Sequence, residues 1–270
     1  MDERRQGRMT KDGIRIYDRE DFAGMHEAGA LAAQILDDIA DMVVPGATTG
    51  EIDAAITKMV EDAGATSATI GYKGYQHASC ISVNHVVCHG IPGDKRLKEG
   101  DILNVDVTVI VDGWFGDTSR MYAAGAPSRK AERLIQVTHD ALFKGIEAVK
   151  PGNTFGDIGY AIQAYVEAHR MSVVRDFCGH GLGRVFHAPP NVLHYGRRGT
   201  GAVLEPGMIF TIEPMVNLGR PETKVLADDW TAVTRDKSLS AQFEHSVGVT
   251  DDGVEIFTLS PGGRFHPTRV

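Results

Sequence analysis

The segments Leu97–Val109, "LKEGDILNVDVTV", and Leu204–Val216, "LEPGMIFTIEPMV", are two versions of one pattern displaced by 107 residues. Each is a glycine-bearing turn that runs into an apolar strand, and each strand carries one acid at the same register, Asp106 in the first and Glu213 in the second. An apolar strand is stabilised by leaving water, whereas an unpaired carboxylate in the same place is expensive. The same costly residue in both copies marks the acids as part of the architecture.

Working outward, a second match appears at nearly the same offset. "PGATTGEIDAAI" starts at Pro45 and "PGNTFGDIGYAI" at Pro151, 106 residues later. Each reads as a Pro-Gly reversal, a threonine at the next helix start (Thr48 or Thr49, and Thr154), and an amphipathic helix. The apolar stripes are Ile52, Ala55, Ile56, Met59, Val60 and Ile158, Ala161, Ile162, Tyr165, Val166, the spacing that turns one helix face into a core. Two copies are too few for a solenoid. The expected fold class is therefore α/β (α+β), with pseudo-repeats over about 45–125 and 151–250 sharing one sheet and bringing their acids to a pseudo-twofold axis. Further helices are expected from after Asp18 to about Met42, and from a Ser128 cap to about Val149. Strands and turns dominate from Met208 onward. Residues 1–17 read as an N-terminal extension and 18–270 as a single catalytic domain.

The 270-residue composition, 42% hydrophobic and 24% charged, is that of a globular protein. No run approaches the roughly 20 apolar residues of a membrane helix, and the polar start lacks signal-peptide character. A net charge of −8 argues against specific nucleic-acid recognition, with Arg197–Arg198 read as a solvated loop. Three cysteines, Cys80, Cys88 and Cys178, are too few and odd for a disulfide framework and fit a reducing cytoplasm.

Besides Asp106 and Glu213, Glu244 lies in apolar strand text, and Asp117 opens the polar "GDTS" after a tight turn. Carboxylates about 4 Å apart repel by about 4 kcal/mol at an effective dielectric of 20. A proton or an arginine could compensate one acid, but four converging from two halves point to divalent cations. Two cations roughly 3.5–4 Å apart need carboxylates able to bridge them. His180 in "CGHGLG", His187 in "VFHAPP" and His89 in "CHGIPG" are the candidate nitrogen donors. Mixed nitrogen and oxygen donors suit Mn, Fe, Co or Zn better than Mg or Ca. Taken singly, each acid is more ordinarily a turn or cap residue and each histidine scaffold; the alignment of Asp106 with Glu213 shifts that balance. Cys88 and Cys178 read as buried structural thiols rather than ligands or nucleophiles.

The stretches "SCISVNHVVCHGIP", "GDILNVDVTVIVDGWFGDTSRMY", "VVRDFCGHGLGRVFHAPPNVLHY", "LEPGMIFTIEPMVN" and "DKSLSAQFEHSVGVT", in this order, resemble the type I methionine aminopeptidases from about Asp18 to Leu259. The resemblance implies the pita-bread fold, with a central, mainly antiparallel curved sheet, and removal of N-terminal methionine ahead of a small second residue. It implies five metal ligands, Asp106, Asp117, His180, Glu213 and Glu244, for two divalent ions per chain (Co, Mn, Fe or Zn). Asp117 and Glu244 would bridge the ions, and Glu213 would help deprotonate water. His89 and His187 would contact the substrate, while Tyr72, Tyr75, Cys80, Phe186 and Trp230 would wall the methionine pocket, where aromatic faces and sulfur suit a thioether. Asn84, Val86 and Ser240 would hold a monovalent cation, Na or K.

The implied partners are nascent polypeptide N-termini and a transiently met ribosome, with the enzyme a cytoplasmic monomer that touches no membrane. Lys73 departs from the resemblance, standing where many bacterial relatives have histidine. The alternatives are an Xaa-Pro aminopeptidase or dipeptidase of the same fold, for whose usual N-terminal domain this chain has no room, and a non-catalytic binding protein of that fold, against which the complete acid set argues.

Overall fold

The computed structural model describes residues 8–264. Residues 1–7 of the expected extension and 265–270 of the expected domain lie outside the described residues.

The duplication seen in the text is present in the backbone. Gly46 N donates to Leu97 O at 2.8 Å, and Gly152 N to Leu204 O at 3.1 Å; Leu97 N returns to Ala47 O at 2.8 Å, and Leu204 N to Asn153 O at 2.7 Å. Each Pro-Gly loop thus clamps the turn that opens its own acid-bearing strand. Helix α2 (Thr49–Asp62) starts from Thr48, whose amide donates to the Glu51 carboxylate at 2.7 Å while its hydroxyl accepts from Glu51 N at 3.1 Å. In the second half α4 (Phe155–Ala168) starts from Thr154, whose amide donates to Asp157 at 2.8 Å. These reciprocal caps satisfy amides that the first helical turn leaves unpaired.

The helix faces repeat as well. Ile52, Ile56 and Val60 of α2 are buried against Leu103, Val105 and Val107, while Ile158, Ile162 and Val166 of α4 are buried against Phe210 and Ile212. Each half therefore has its own core. Helix α1 (Phe22–Asp38) is shorter than expected, entered through a 3-10 turn at Arg19–Asp21 and left through another at Ala40–Met42. Asp37, Asp38 and Asp41 crowd the end where the helix dipole disfavours negative charge. Helix α3 (Arg129–Glu147) starts from Ser128 as expected and stops two residues before Val149.

Every strand pairing among the described residues is antiparallel. In the first half, Asp101–Val111 and Trp114–Ala124 form a long hairpin that reverses at Asp112–Gly113, with φ of 47° and 78°, the left-handed pair a two-residue turn requires. Ser79–Val83 pairs on its other edge. In the second half, Ile209–Ile212 lies between Gly179–Gly181 and His245–Val249. The halves meet at a seam rather than a continuous ladder. There Ser119 bridges to Glu244, and the Asn104 amide donates to Gln242 O at 2.8 Å.

Residues 14–17, just before Asp18, are docked on the domain. Ile14, Ile16 and Tyr17 are buried, Tyr17 N donates to Gly207 O at 2.8 Å, and the Tyr17 hydroxyl accepts from Arg184 N at 3.1 Å. No helix among the described residues is long and apolar enough to cross a membrane.

Behind the hairpin, buried Arg120 pairs with buried Asp37 of α1 at 2.5 Å, and Asp37 also accepts from Ser260 Oγ at 2.6 Å and Gly262 N at 3.0 Å. Asp37→Ala strands a buried guanidinium, so urea denaturation should show a loss of roughly 3–5 kcal/mol. Ser260→Ala, which leaves the ion pair intact, should cost about 1 kcal/mol.

Candidate active site

Strand register explains how the first-half acids come together. Asp106 lies opposite Ser119 and Thr108 opposite Asp117, so Asp106 and Asp117 are diagonal neighbours on one face of the hairpin. The Thr108 hydroxyl donates to Asp117 Oδ1 at 2.7 Å. Glu244 arrives from the other half, fixed by its amide donating to Ser119 O at 3.1 Å and its carbonyl accepting from Thr118 Oγ1 at 2.7 Å.

His180 sits at the centre of Gly179–Gly181, and both glycines are needed there. A Cβ on Gly179 would lie 2.4 Å from Thr211 O, and one on Gly181 2.1 Å from Pro189 O. His180 Nδ1 contacts Gly181 O at 3.1 Å, which leaves Nε2 facing the acids at 3.5 Å from Asp117 Oδ2 and 3.7 Å from Glu213 Oε1. Thr211 ties two of these groups together: its hydroxyl accepts from His180 N at 3.1 Å and donates to Glu213 Oε1 at 2.8 Å. Gln242 donates to Glu213 Oε2 at 3.3 Å, and the backbone amide of Glu213 donates to His194 Nε2 at 3.1 Å.

One donor atom each from Asp117, His180 and Glu244 falls within 4.8 Å of the others, and Asp106 and Glu213 line the same cavity of about 800 Å³. Burial, reinforced by neighbouring carboxylates, pushes Asp106, Glu213 and Glu244 above the usual carboxylate range. Burial opposes a charge on His180, but its hydrogen bond to Asp117 and the negative charge of Glu213 prevail and raise it to about 9. Among the described residues that line the cavity, Lys73 alone is a lysine or arginine, and its ammonium lies over the Tyr72 ring. At the base, His180 is the one positive group beside the acids, and a single imidazolium does not balance four carboxylates. The donor set, four carboxylates and one imidazole nitrogen, fits a divalent transition ion.

Above the acids the cavity is aromatic. Tyr72 stacks on His187 at 5.3 Å and packs on Phe186 at 5.0 Å, while Trp230 lies 4.8 Å from Tyr75 and 6.0 Å from His89. The Tyr75 hydroxyl donates to Ser79 O at 2.8 Å, holding its ring in the wall beside Cys80. Burial, and then the charge on His180, bring His187 down to about 4; burial also lowers His89. Both rings are neutral at pH 7.

All twelve residues expected at the metal site and the methionine pocket line this one cavity. Asn84 and Ser240 lie elsewhere, joined by Ser240 N donating to Asn84 O at 2.9 Å, with Val86 two residues along the chain. Cys88 is buried, whereas Cys178 is half-buried and, like Cys88, lines the cavity, so it is less secluded than a structural thiol.

Sequence reasoning missed Thr108, Thr211, Gln242, His194, Phe177 and Met215. For the threonines a signal existed. Each stands two residues from an anomalous acid, Thr108 after Asp106 and Thr211 before Glu213, and so shares its face of the strand.

Four carboxylates gathered across the seam of a duplicated fold, at the foot of an apolar pocket and with His180 as the one imidazole among them, define a metal-dependent hydrolase of the pita-bread class. Known proteins narrow the class. The profile of metallopeptidase family M24 matches residues 23–251. Methionine aminopeptidase of Rickettsia prowazekii (strain Madrid E) is 58% identical over 255 residues, spanning 94% of this chain and 98% of that one. The Escherichia coli (strain K12) methionine aminopeptidase is 53% identical over 248 residues, spanning 91% and 94%. The crystal structure of methionine aminopeptidase from Rickettsia prowazekii matches with a TM-score of 0.90 at 57% identity, covering 91% of this chain and all of that one (100%). The chain belongs to metallopeptidase family M24 and, within it, to the methionine aminopeptidases.

Proposed function

We infer that this enzyme removes the N-terminal methionine from peptide chains by metal-dependent hydrolysis, preferring a small second residue. One observation carries the reading: a wall of Tyr72, Tyr75, Cys80, Phe186 and Trp230 stands beside the acid cluster in the same cavity. Such a pocket accepts one terminal thioether side chain and holds the following peptide bond at the acids.

Asp106, Asp117, His180, Glu213 and Glu244 would hold two divalent ions, Co, Mn, Fe or Zn, with Asp117 and Glu244 as the bridging carboxylates. Bound there, such ions supply Lewis acidity, polarising a carbonyl and lowering the pKa of water from 15.7 to about 7. The protein's own groups do the rest. Glu213, held at the foot of the cavity by Thr211 and Gln242, accepts the proton that the attacking water loses and passes it to the leaving amine. His187, neutral and stacked on Tyr72, donates a hydrogen bond to the carbonyl oxygen as its charge develops. His89, held edge-on by Phe177 at 5.5 Å, faces the scissile nitrogen.

The Asn84–Ser240 contact supports a Na or K site at the oxygens of Asn84, Val86 and Ser240. Sparse cysteines support a reducing cytoplasm, and the charge of −8 argues against nucleic-acid recognition; a monomer that meets nascent chains, with transient ribosome contact and no membrane contact, is what the family resemblance implies. Identity above half over nearly the whole chain favours the methionine enzymes over an Xaa-Pro peptidase.

The test is methionine release from Met-Ala-Ser with no cleavage of an Xaa-Pro peptide; the reverse pattern would sink the reading. Trp230→Ala should leave metal content unchanged and raise KM by about tenfold or more, since a large side chain stabilises an apolar contact by roughly 1.5–3 kcal/mol. Unchanged kinetics would remove Trp230 from the pocket.

A further inference from the structure

We propose that Lys73 is a specificity residue: its ammonium favours substrates that carry a negative charge at the third or fourth residue. The inference rests on the aminopeptidase reading and adds to it a preference along the chain beyond the scissile bond.

Lys73 occupies an unusual backbone position. It lies in the turn Tyr72–Gly74 with φ 46° and ψ 31°, the left-handed region that residues with a Cβ avoid, between Gly71 and Gly74, both at positive φ. The turn is pinned at both ends, with Gly71 N donating to Tyr75 O at 2.7 Å and the Thr69 hydroxyl to His77 O at 2.7 Å. This geometry turns the exposed side chain back over the cavity it lines.

A column of groups leads from the acids to that side chain. The rings of His180 and His187 are 4.1 Å apart, His187 and Tyr72 are 5.3 Å apart and nearly parallel, and Lys73 Nζ stands 5.3 Å from the Tyr72 centroid. An extended peptide advances roughly 3.3 Å per residue, so a chain with its first residue at the base passes the ammonium at its third or fourth. The charge also reaches both histidines that face the substrate: after burial, Lys73 contributes to lowering His89, and it adds a smaller share to the lowering of His187.

Two acids share the rim. Asp176 is engaged by Thr223, accepting from its Oγ1 at 2.5 Å, and Asp12 sits in the turn between Thr10 and Gly13. Among the described residues of the lining, Lys73 is the sole lysine or arginine, so attraction for an acidic substrate residue arises at this point.

The experiment compares kcat/KM for the amidated peptides Met-Ala-Glu-Gly and Met-Ala-Lys-Gly, and for Met-Ala-Gly-Glu and Met-Ala-Gly-Lys, using the metal-loaded enzyme. The wild type should favour the glutamate member of at least one pair by about two- to fivefold at low salt, the scale of an exposed ion pair. The preference should vanish near 1 M salt, where the Debye length is about 3 Å. Lys73→Arg should keep the ratio, Lys73→Met should bring it to about one, and Lys73→Glu should invert it. Because the ratio is taken within each variant, a general loss of activity cancels. A wild type without preference, or a preference that survives in Lys73→Met and Lys73→Glu, overturns the inference while leaving the aminopeptidase reading standing. Failure of the wild type to release methionine from Met-Ala-Ser overturns that reading, and this inference with it.

Discussion

Asp117→Asn is expected to lower kcat/KM by about a thousandfold or more and to leave the protein short of metal after gel filtration. The substitution preserves shape. The amide oxygen can still accept from Thr108 Oγ1, now at 2.7 Å from Oδ1, and the backbone carbonyl of residue 117 keeps its 2.6 Å bond from Ser246 Oγ. What disappears is a negative charge at the point where His180 and Glu244 converge, within 4.8 Å. A neutral amide bridges two cations poorly, and the loss of several kcal/mol of charge stabilisation corresponds to about three decades of rate. Asp62→Asn, which touches only an exposed i,i+4 pair with Lys58, should change neither quantity. The measurements are metal content, peptide kinetics and a thermal melt as a control for folding. Near wild-type turnover with full metal content in Asp117→Asn would falsify the bridging role.

The second large effect is on stability. Stripping metal with a chelator should lower Tm by roughly 8–16 °C near pH 8. A ligand at about a thousand times its Kd contributes about 4 kcal/mol, and each kcal/mol moves Tm by roughly 2–4 °C in a domain approaching this size. The metal-free protein should also lose stability as the pH rises from about 7 to about 8.5. Asp106 and Glu244, lifted by burial and by neighbouring acids, contribute in the same direction above the ordinary carboxylate range, and His180 sets the window. His180, at about 9 when folded, keeps a proton that an unfolded histidine loses near 6.5. In each case the native state binds more protons, so stability falls with rising pH. His187 and His194, held down to about 4 and about 3, act in the opposite sense only below about pH 6.5, where the unfolded histidines begin to charge. Thiols, raised by burial, add a loss above about pH 8.5 that metal-loaded and metal-free protein share. Calorimetry of both forms across the window isolates the cluster. A metal-free protein that gains stability from pH 7 to 8.5 would show that these acids are not crowded together in solution.

Much of the site was legible in one dimension because its chemistry breaks local rules. An acid inside an apolar strand is conspicuous, and two at equal register are more so. Glycines on both sides of His180 announced a close backbone approach, and Thr211 O and Pro189 O are the atoms that approach. The residues that escaped notice break no rule. Gln242 and His194 are ordinary in their local text, and their importance lies in reaching Glu213 from 29 and 19 residues away. Ile14 to Tyr17 were read as part of the N-terminal extension because the burial of Tyr17 depends on Gly207 and Arg184, far along the chain. The ends of α1 were misjudged for a related reason: apolar periodicity continues through Ile39, but the hydrogen bonding tightens where acids meet the helix terminus.

The sequence by itself determined the candidate donors, the duplicated helices with their threonine starts, and the strand face on which each acid stands, because residue type, capping and period are properties of neighbouring residues. Only the tertiary structure decided that Asp117 and Glu244 come together across the Ser119 seam, that His187 rests on Tyr72, and that Lys73 bends back over the cavity. Those distances are set by how the two halves meet along the seam where Ser119 bridges to Glu244, and no local stretch of chain carries that information.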